Sequence, residues 1–120
     1  MYNAKEYVES KNAQPGTTTD GVIISIEDGQ AKKFLPPKAQ EKWKNLEGLA
    51  IKIVIEAKSS DGVPFRVERL FGYTTTPDGK MVLKQSSNLG KYKKFYNKLP
   101  EVGDVVKLAA NAEGYYKLML

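Results

Sequence analysis

LAIKIVIEAK (Leu49–Lys58), the turn Ser60-Asp61-Gly62 and PFRVERLFGYT (Pro64–Thr74) are the stretch that decides the fold. In the first segment Leu49, Ile51, Ile53, Ile55 and Ala57 fall on one side of an extended chain, and Ala50, Lys52, Val54, Glu56 and Lys58 on the other. A period of two with one apolar side marks a half-buried strand, here with a basic outer face. The Asp-Gly turn returns the chain, so the second segment is expected to pair antiparallel with the first.

Upstream, GVIISIE (Gly21–Glu27) alternates Val22, Ile24 and Ile26 against Ile23, Ser25 and Glu27. Asp28-Gly29 interrupts, and the pattern resumes over Ala31–Leu35 as either a hairpin or one long strand with a glycine bulge. Pro36-Pro37 ends it, and Pro37 is placed to open a short helix, KAQEKWKNLE (Lys38–Glu47), which Gly48 closes. Trp43 and Leu46 would share its inner face. Residues 1–19 read as a flexible or loosely docked segment, with a breaker at Gln14-Pro15-Gly16. Within it AKEYVES suggests a turn or two of helix, and Tyr2, Tyr7 and Val8 are candidates to dock on the core. The folded domain is expected over residues 20–120.

Downstream, Thr76-Pro77-Asp78-Gly79 is a turn, and Met81–Gln85 a short returning strand. Ser86, Ser87 and Asn88 are all helix-capping types. The helix they start should run to about Lys98. Leu89, Tyr92, Phe95 or Tyr96, and Leu99 form its apolar stripe, with Lys91, Lys94 and Lys98 on the other side. Gly90 weakens its first turn. Pro100 and Gly103-Asp104 stop the helix. Val105–Ala109 and Tyr115–Leu120 are then two strands around the turn Asn111–Gly114. The expected fold is mainly β: a five- to six-stranded antiparallel barrel with one main helix.

Composition narrows the chemistry. The 120 residues include no cysteine and no histidine. Disulfides, thiolate catalysis, cysteine zinc sites and the serine-type triad are excluded together. No activated nucleophile stands out, so the chain is expected not to be an enzyme and to need no cofactor. No apolar run reaches the roughly 20 residues of a spanning helix. The opening MYNAKEYVES is polar, so no signal peptide and a cytoplasmic location are expected. The net charge is +5, concentrated in two blocks: residues 30–58 carry +4 and residues 80–98 carry +6. Lys80, Lys84, Lys91, Lys93, Lys94 and Lys98 lie in the second block without a carboxylate, interleaved with Tyr92, Phe95 and Tyr96. Lysines neutralise phosphates and flat rings stack on unpaired bases, which is what a single nucleic-acid strand requires. A soluble lysine-rich surface would carry the same charges.

The element order resembles an OB-fold, a five-stranded Greek-key barrel with a helix commonly between its third and fourth strands. Here the elements are GVIISIEDGQAKKFL, LAIKIVIEAK, PFRVERLFGYT, the helix SNLGKYKKFYNKL, VVKLA and YYKLML. LPEVGDVV (Leu99–Val106) looks like the turn-and-strand entry of many such barrels, and residues 87–120 are similar to the tail of small viral and archaeal single-stranded DNA-binding proteins. Strand Met81–Gln85 would be a sixth. The resemblance covers residues 20–120 and implies oligonucleotide binding on strands two and three and in the adjoining loops.

The candidate interface residues are Lys52, Lys58, Arg66, Arg69, Phe71, Tyr73, Lys84 and Trp43. Arg69, Phe71 and Tyr73 share one parity and Arg66 the other, so they meet only if a bulge near Arg69-Leu70 shifts the phase. Phe71 fits the core as well as a stacking role, whereas Tyr73, near the strand end, is expected at the surface. Trp43, between Lys42 and Lys44, is either a stacking platform or a packing residue against Leu46. In the late helix, Leu89, Tyr92 and Phe95 would plug the barrel end and leave the lysines solvated. The reading is a single-stranded nucleic-acid binder of low sequence preference, DNA rather than RNA. The alternatives are a protein–protein adaptor or viral structural domain, with Tyr115–Leu120 as an edge for a homodimer, and a metal nuclease. The nuclease would use Glu56 and Lys58 with Asp28, Asp61 or Glu68.

Overall fold

The structure, a computed structural model, describes residues 2–6, 14–43, 46–59 and 61–120. Six strands run in one antiparallel sheet: β1 (Thr18–Gln30), β2 (Leu49–Lys58), β3 (Pro64–Thr75), β4 (Met81–Val82), β5 (Val105–Ala110) and β6 (Tyr116–Leu118). Their spatial order is β4-β3-β2-β1-β5-β6. Strands β1–β3 form a meander and β5 returns beside β1, which is a Greek key. The sheet curls into a half-barrel. Strands β3 and β6 approach without pairing in the sheet, and the Phe65 and Tyr116 rings stack across the seam at 5.1 Å.

The β2–β3 hairpin forms as its alternation predicts. Register is unbroken from Leu49 opposite Tyr73 to Lys58 opposite Pro64. Residues directly opposed share a face. Ile51, Ile53, Ile55 and Ala57 therefore point inward with Phe71, Arg69, Val67 and Phe65, while Lys52, Glu56, Arg66 and Glu68 point outward. No bulge occurs at Arg69-Leu70.

The bulge lies instead in β1, where Ile23 faces Ile55 but Ser25 faces Val54. The extra residue flips the phase, so Ile23 and Ile26 both pack on the core while Val22 and Ile24 stay exposed. Strand β1 thus runs continuously past Gly29 to Gln30. Ala31–Leu35 does not resume it: Ala31–Phe34 is one helical turn, α1. The Ala31 amide donates to the Gly48 carbonyl, and the Ala31 side chain is fully buried. The helix expected over Lys38–Glu47 is one turn, α2 (Pro37–Gln40). Lys44 and Asn45 lie outside the described residues, as do Tyr7, Val8 and Ser60. The sheet begins earlier than residue 20: Thr18 already pairs with Ala109, and the Gly16 amide donates to the Ala110 carbonyl.

Helix α3 (Asn88–Tyr96) closes one end of the half-barrel. Ser87 caps it, its hydroxyl accepting from the Gly90 amide at 3.0 Å and donating to the Lys84 carbonyl at 2.6 Å. Leu89 and Tyr92 are buried among Ile23, Ile53, Ile55, Phe71, Val106, Leu108 and Leu118. Phe95, expected in this plug, is 46% exposed instead. The helix stops two residues short of Lys98, with Asn97 left-handed at φ 63°. Strand β4 is shorter than the expected Met81–Gln85, because Lys84 is drawn away from the sheet to the Ser87 cap. Strand β6 likewise spans only part of Tyr115–Leu120. Among the described residues no helix is long and apolar enough to cross a membrane.

Candidate nucleic-acid interface

The eight residues named from the sequence separate into three groups. Trp43, Tyr73 and Lys84 converge. They line one open cleft of about 380 Å³ together with Leu49, Val82 and Ser87. The cleft lies where β2 begins and β3 ends. One wall is the β1–β2 connection carrying Trp43, and the other is the segment leading into α3. Its volume falls in the range of small-molecule sites, roughly 300–1,000 Å³.

Each side chain is positioned for an identifiable reason. Trp43 is half-buried and lies over Gly72, where a side-chain carbon would sit 3.4 Å from its ring. The missing Cβ leaves a flat stretch of β3 for the indole. Tyr73 is half-buried, with its hydroxyl donating to Asp28 Oδ1 at 2.6 Å. Burial, then the hydrogen bond and the charge of Asp28, push its hydroxyl pKa up to about 12. The hydrogen bond to Asp28 ties the end of the ring to β1. Lys84 is exposed. The first turn of α3 also opens on the cleft through Ser87 and Leu89, adding the positive end of the helix dipole.

The second group stands on the sheet's outer face. Arg66 Nε lies 3.3 Å from Glu56, directly across the hairpin, and Lys52 Nζ lies 3.3 Å from Glu68. These are cross-strand charge pairs that occupy the cations with carboxylates. Lys58 is exposed on the same face and lines a separate hollow with Val22, Ile24 and Glu56.

The third group faces inward. Phe71 is fully buried and meets Tyr92 edge to face at 6.0 Å, so the core reading holds and it offers no ring to a base. Arg69 springs from the inward face, half-buried, with its guanidinium 5.7 Å from the Phe71 ring centre. Unbroken period-2 register puts Arg66 and Arg69 on opposite sides of β3, which the sequence parity already indicated.

The carboxylates considered for a metal do not gather. Glu56 meets Arg66, Glu68 meets Lys52 and Asp28 meets Tyr73. Among the described residues no group of three or more acidic, histidine or cysteine side chains could hold a metal ion. Compared with known proteins, the chain matches no family model, no curated protein and no solved structure.

Proposed function

We propose that this protein binds single-stranded nucleic acid, DNA in preference to RNA, at the cleft of Trp43, Tyr73 and Lys84, in the cytoplasm. One observation carries the reading: two aromatic side chains from separate segments share an open cleft with a lysine that has no carboxylate partner among the described residues. Bases would stack on the two rings while Lys84, and Lys42 beside Trp43, take the phosphates. Each stacked base contributes roughly 1–3 kcal/mol, so two stacks and a few phosphate contacts give about micromolar affinity. The strand order, with α3 inserted between β4 and β5, supports the resemblance to an OB-fold. In that family the second and third strands and the first connecting loop bind oligonucleotides. Lys52 and Arg66 have no part in this version, because their charges are met on the outer face.

Trp43 is the chain's one tryptophan, so its emission reports on the cleft alone. Oligothymidine should quench it, with an affinity that falls steeply between low and moderate salt. Lys84→Ala should lower the salt slope by about 0.7, while Arg66→Ala should leave binding unchanged. Unaltered Trp43 emission at saturating oligothymidine and low salt would remove the cleft from the account.

A second reading, an interface between copies of the chain, rests on a different observation. Val22 faces Val105 across β1 and β5, and they are 41% and 62% exposed. With Ile24 at 38% they form an apolar strip on the outer face.

A further inference from the structure

The basic segment of the sequence is only partly used by the cleft. Val82 and Lys84 line the cleft, whereas the intervening Leu83 and Gln85 line a second hollow of about 870 Å³ on the other side of the same segment. That hollow is bounded by Lys93 and Lys94 of α3. Lys94 also borders a third, with Lys91, Phe95 and Leu120. The two regions are therefore neighbours, separated by one short segment of chain that lines the cleft through Val82 and Lys84 and the second hollow through Leu83, Gln85 and Ser86.

Two features of the α3 face call for a partner. Lys91, Lys93 and Lys94 make no ion pair among the described residues, in contrast to Lys32, Lys52, Arg66, Lys98 and Lys107. Lysines at the end of a helix suit its dipole, which accounts for Lys93 and Lys94 by itself. It does not account for Phe95, which leaves 46% of its surface in water beside Lys91 and Lys94. The ring is held in place, not loose. Tyr96 meets it edge-on at 4.7 Å, and the Tyr96 hydroxyl donates to the Met119 carbonyl at 2.7 Å. A fixed, exposed ring among unpaired ammonium groups matches a ligand with flat faces and regular negative charge.

Resting on the cleft as a strand-binding site, we propose that α3 is its continuation. A single strand held by Trp43 and Tyr73 crosses the segment at Lys84 and runs along Lys93 and Lys94, stacking a further base on Phe95. The ligand is then a strand longer than the cleft can hold, and α3 sets the length the protein covers.

The test compares an oligothymidine of about four nucleotides, the lower end of single-barrel footprints, with one of about twelve. Trp43 emission and anisotropy are read with each, on the full chain. The longer strand should bind about tenfold or more tightly. Phe95→Ala, and separately Lys93→Ala with Lys94→Ala, should remove most of that gain while leaving short-strand affinity and Trp43 quenching unchanged. All three positions are exposed, so the variants should keep the unmodified protein's melting temperature. Equal affinity for both lengths, or a gain that survives both variants, overturns the α3 track and leaves the cleft intact. If the short strand fails to quench Trp43, the cleft reading fails first. Loss of long-strand binding in the α3 variants would then still support this face. Sedimentation with phosphatidylserine-containing vesicles that depends on Phe95, without a long-strand gain, assigns the face to an anionic membrane and also overturns the proposal.

Discussion

Replacing Gly90 by alanine separates two physical accounts of one residue. It is the third residue of α3. By helix propensity alone alanine is better there by about 1 kcal/mol. The structure reverses the sign. A Cβ at this position would lie 2.9 Å from both the Cα and the carbonyl oxygen of Gln85, and closer still to the Lys84 carbonyl oxygen. The obstruction is backbone, so no side-chain rotation relieves it. The Lys84 carbonyl cannot retreat freely, because it accepts from the Ser87 hydroxyl that caps the helix. Overpacking of this kind costs about 1–3 kcal/mol, and rigid backbone places it toward the upper end. Set against the propensity gain, Gly90→Ala should lose about 1–2 kcal/mol. For a domain of this size that lowers the melting temperature by roughly 4–8 °C. Urea denaturation followed by circular dichroism gives the free energy, and Lys93→Ala on the exposed side serves as a reference within about 0.5 kcal/mol. A Gly90→Ala protein as stable as the parent, or more so, would mean that the turn and the helix do not pack as described. The cleft wall carrying Lys84 would fall with it.

Two further outcomes follow from particular contacts. The hydroxyls of Tyr73 and Tyr92 are both raised to about 12, by burial first and then by Asp28 and Asp104 respectively. In an unfolded chain they would ionise near pH 10, so their contribution to stability is complete below that pH and is lost as pH rises through about 12. Phenolate absorbance should show late-titrating groups, one fewer of them in Tyr92→Phe, and an unchanged titration would contradict the burial. If the Val22–Val105 strip joins two copies, Val105→Glu should turn a dimer into a monomer in light scattering, whereas a parent already monomeric at high concentration excludes that interface.

The hairpin of β2 and β3 was legible because its alternation is uninterrupted, and the parity that separates Arg66 from Arg69 came with it. The bulge in β1 was not. Val22, Ile23 and Ile24 are all apolar, so nothing in their chemistry says which one is the extra residue, and the glycine of Asp28-Gly29 points to the wrong place. Ala31–Leu35 is expected to resume the strand, but the amide of Ala31 finds its acceptor at Gly48, a long-range choice that no window of sequence contains. The same holds for the cleft. Trp43, Tyr73 and Lys84 were each singled out by type, yet their meeting depends on where the β1–β2 connection folds back over Gly72. By helix propensity Gly90 is a weak point of its helix, while its use is steric. In the basic segment the helical spacing places Leu89 and Tyr92 in the core, as the structure has them, but it places Phe95 there too, and that ring stays 46% exposed.

The stacked pair Phe65 and Tyr116 has a mechanical consequence. Everywhere else the curved wall is stitched by amide-to-carbonyl ladders, but between β3 and β6 two rings are the fastening. Parting them exposes some apolar surface and breaks no ladder, so the molecule can gape along that line at lower cost than along any other. The amides on those two free edges would be the sheet's first to trade their hydrogens with solvent.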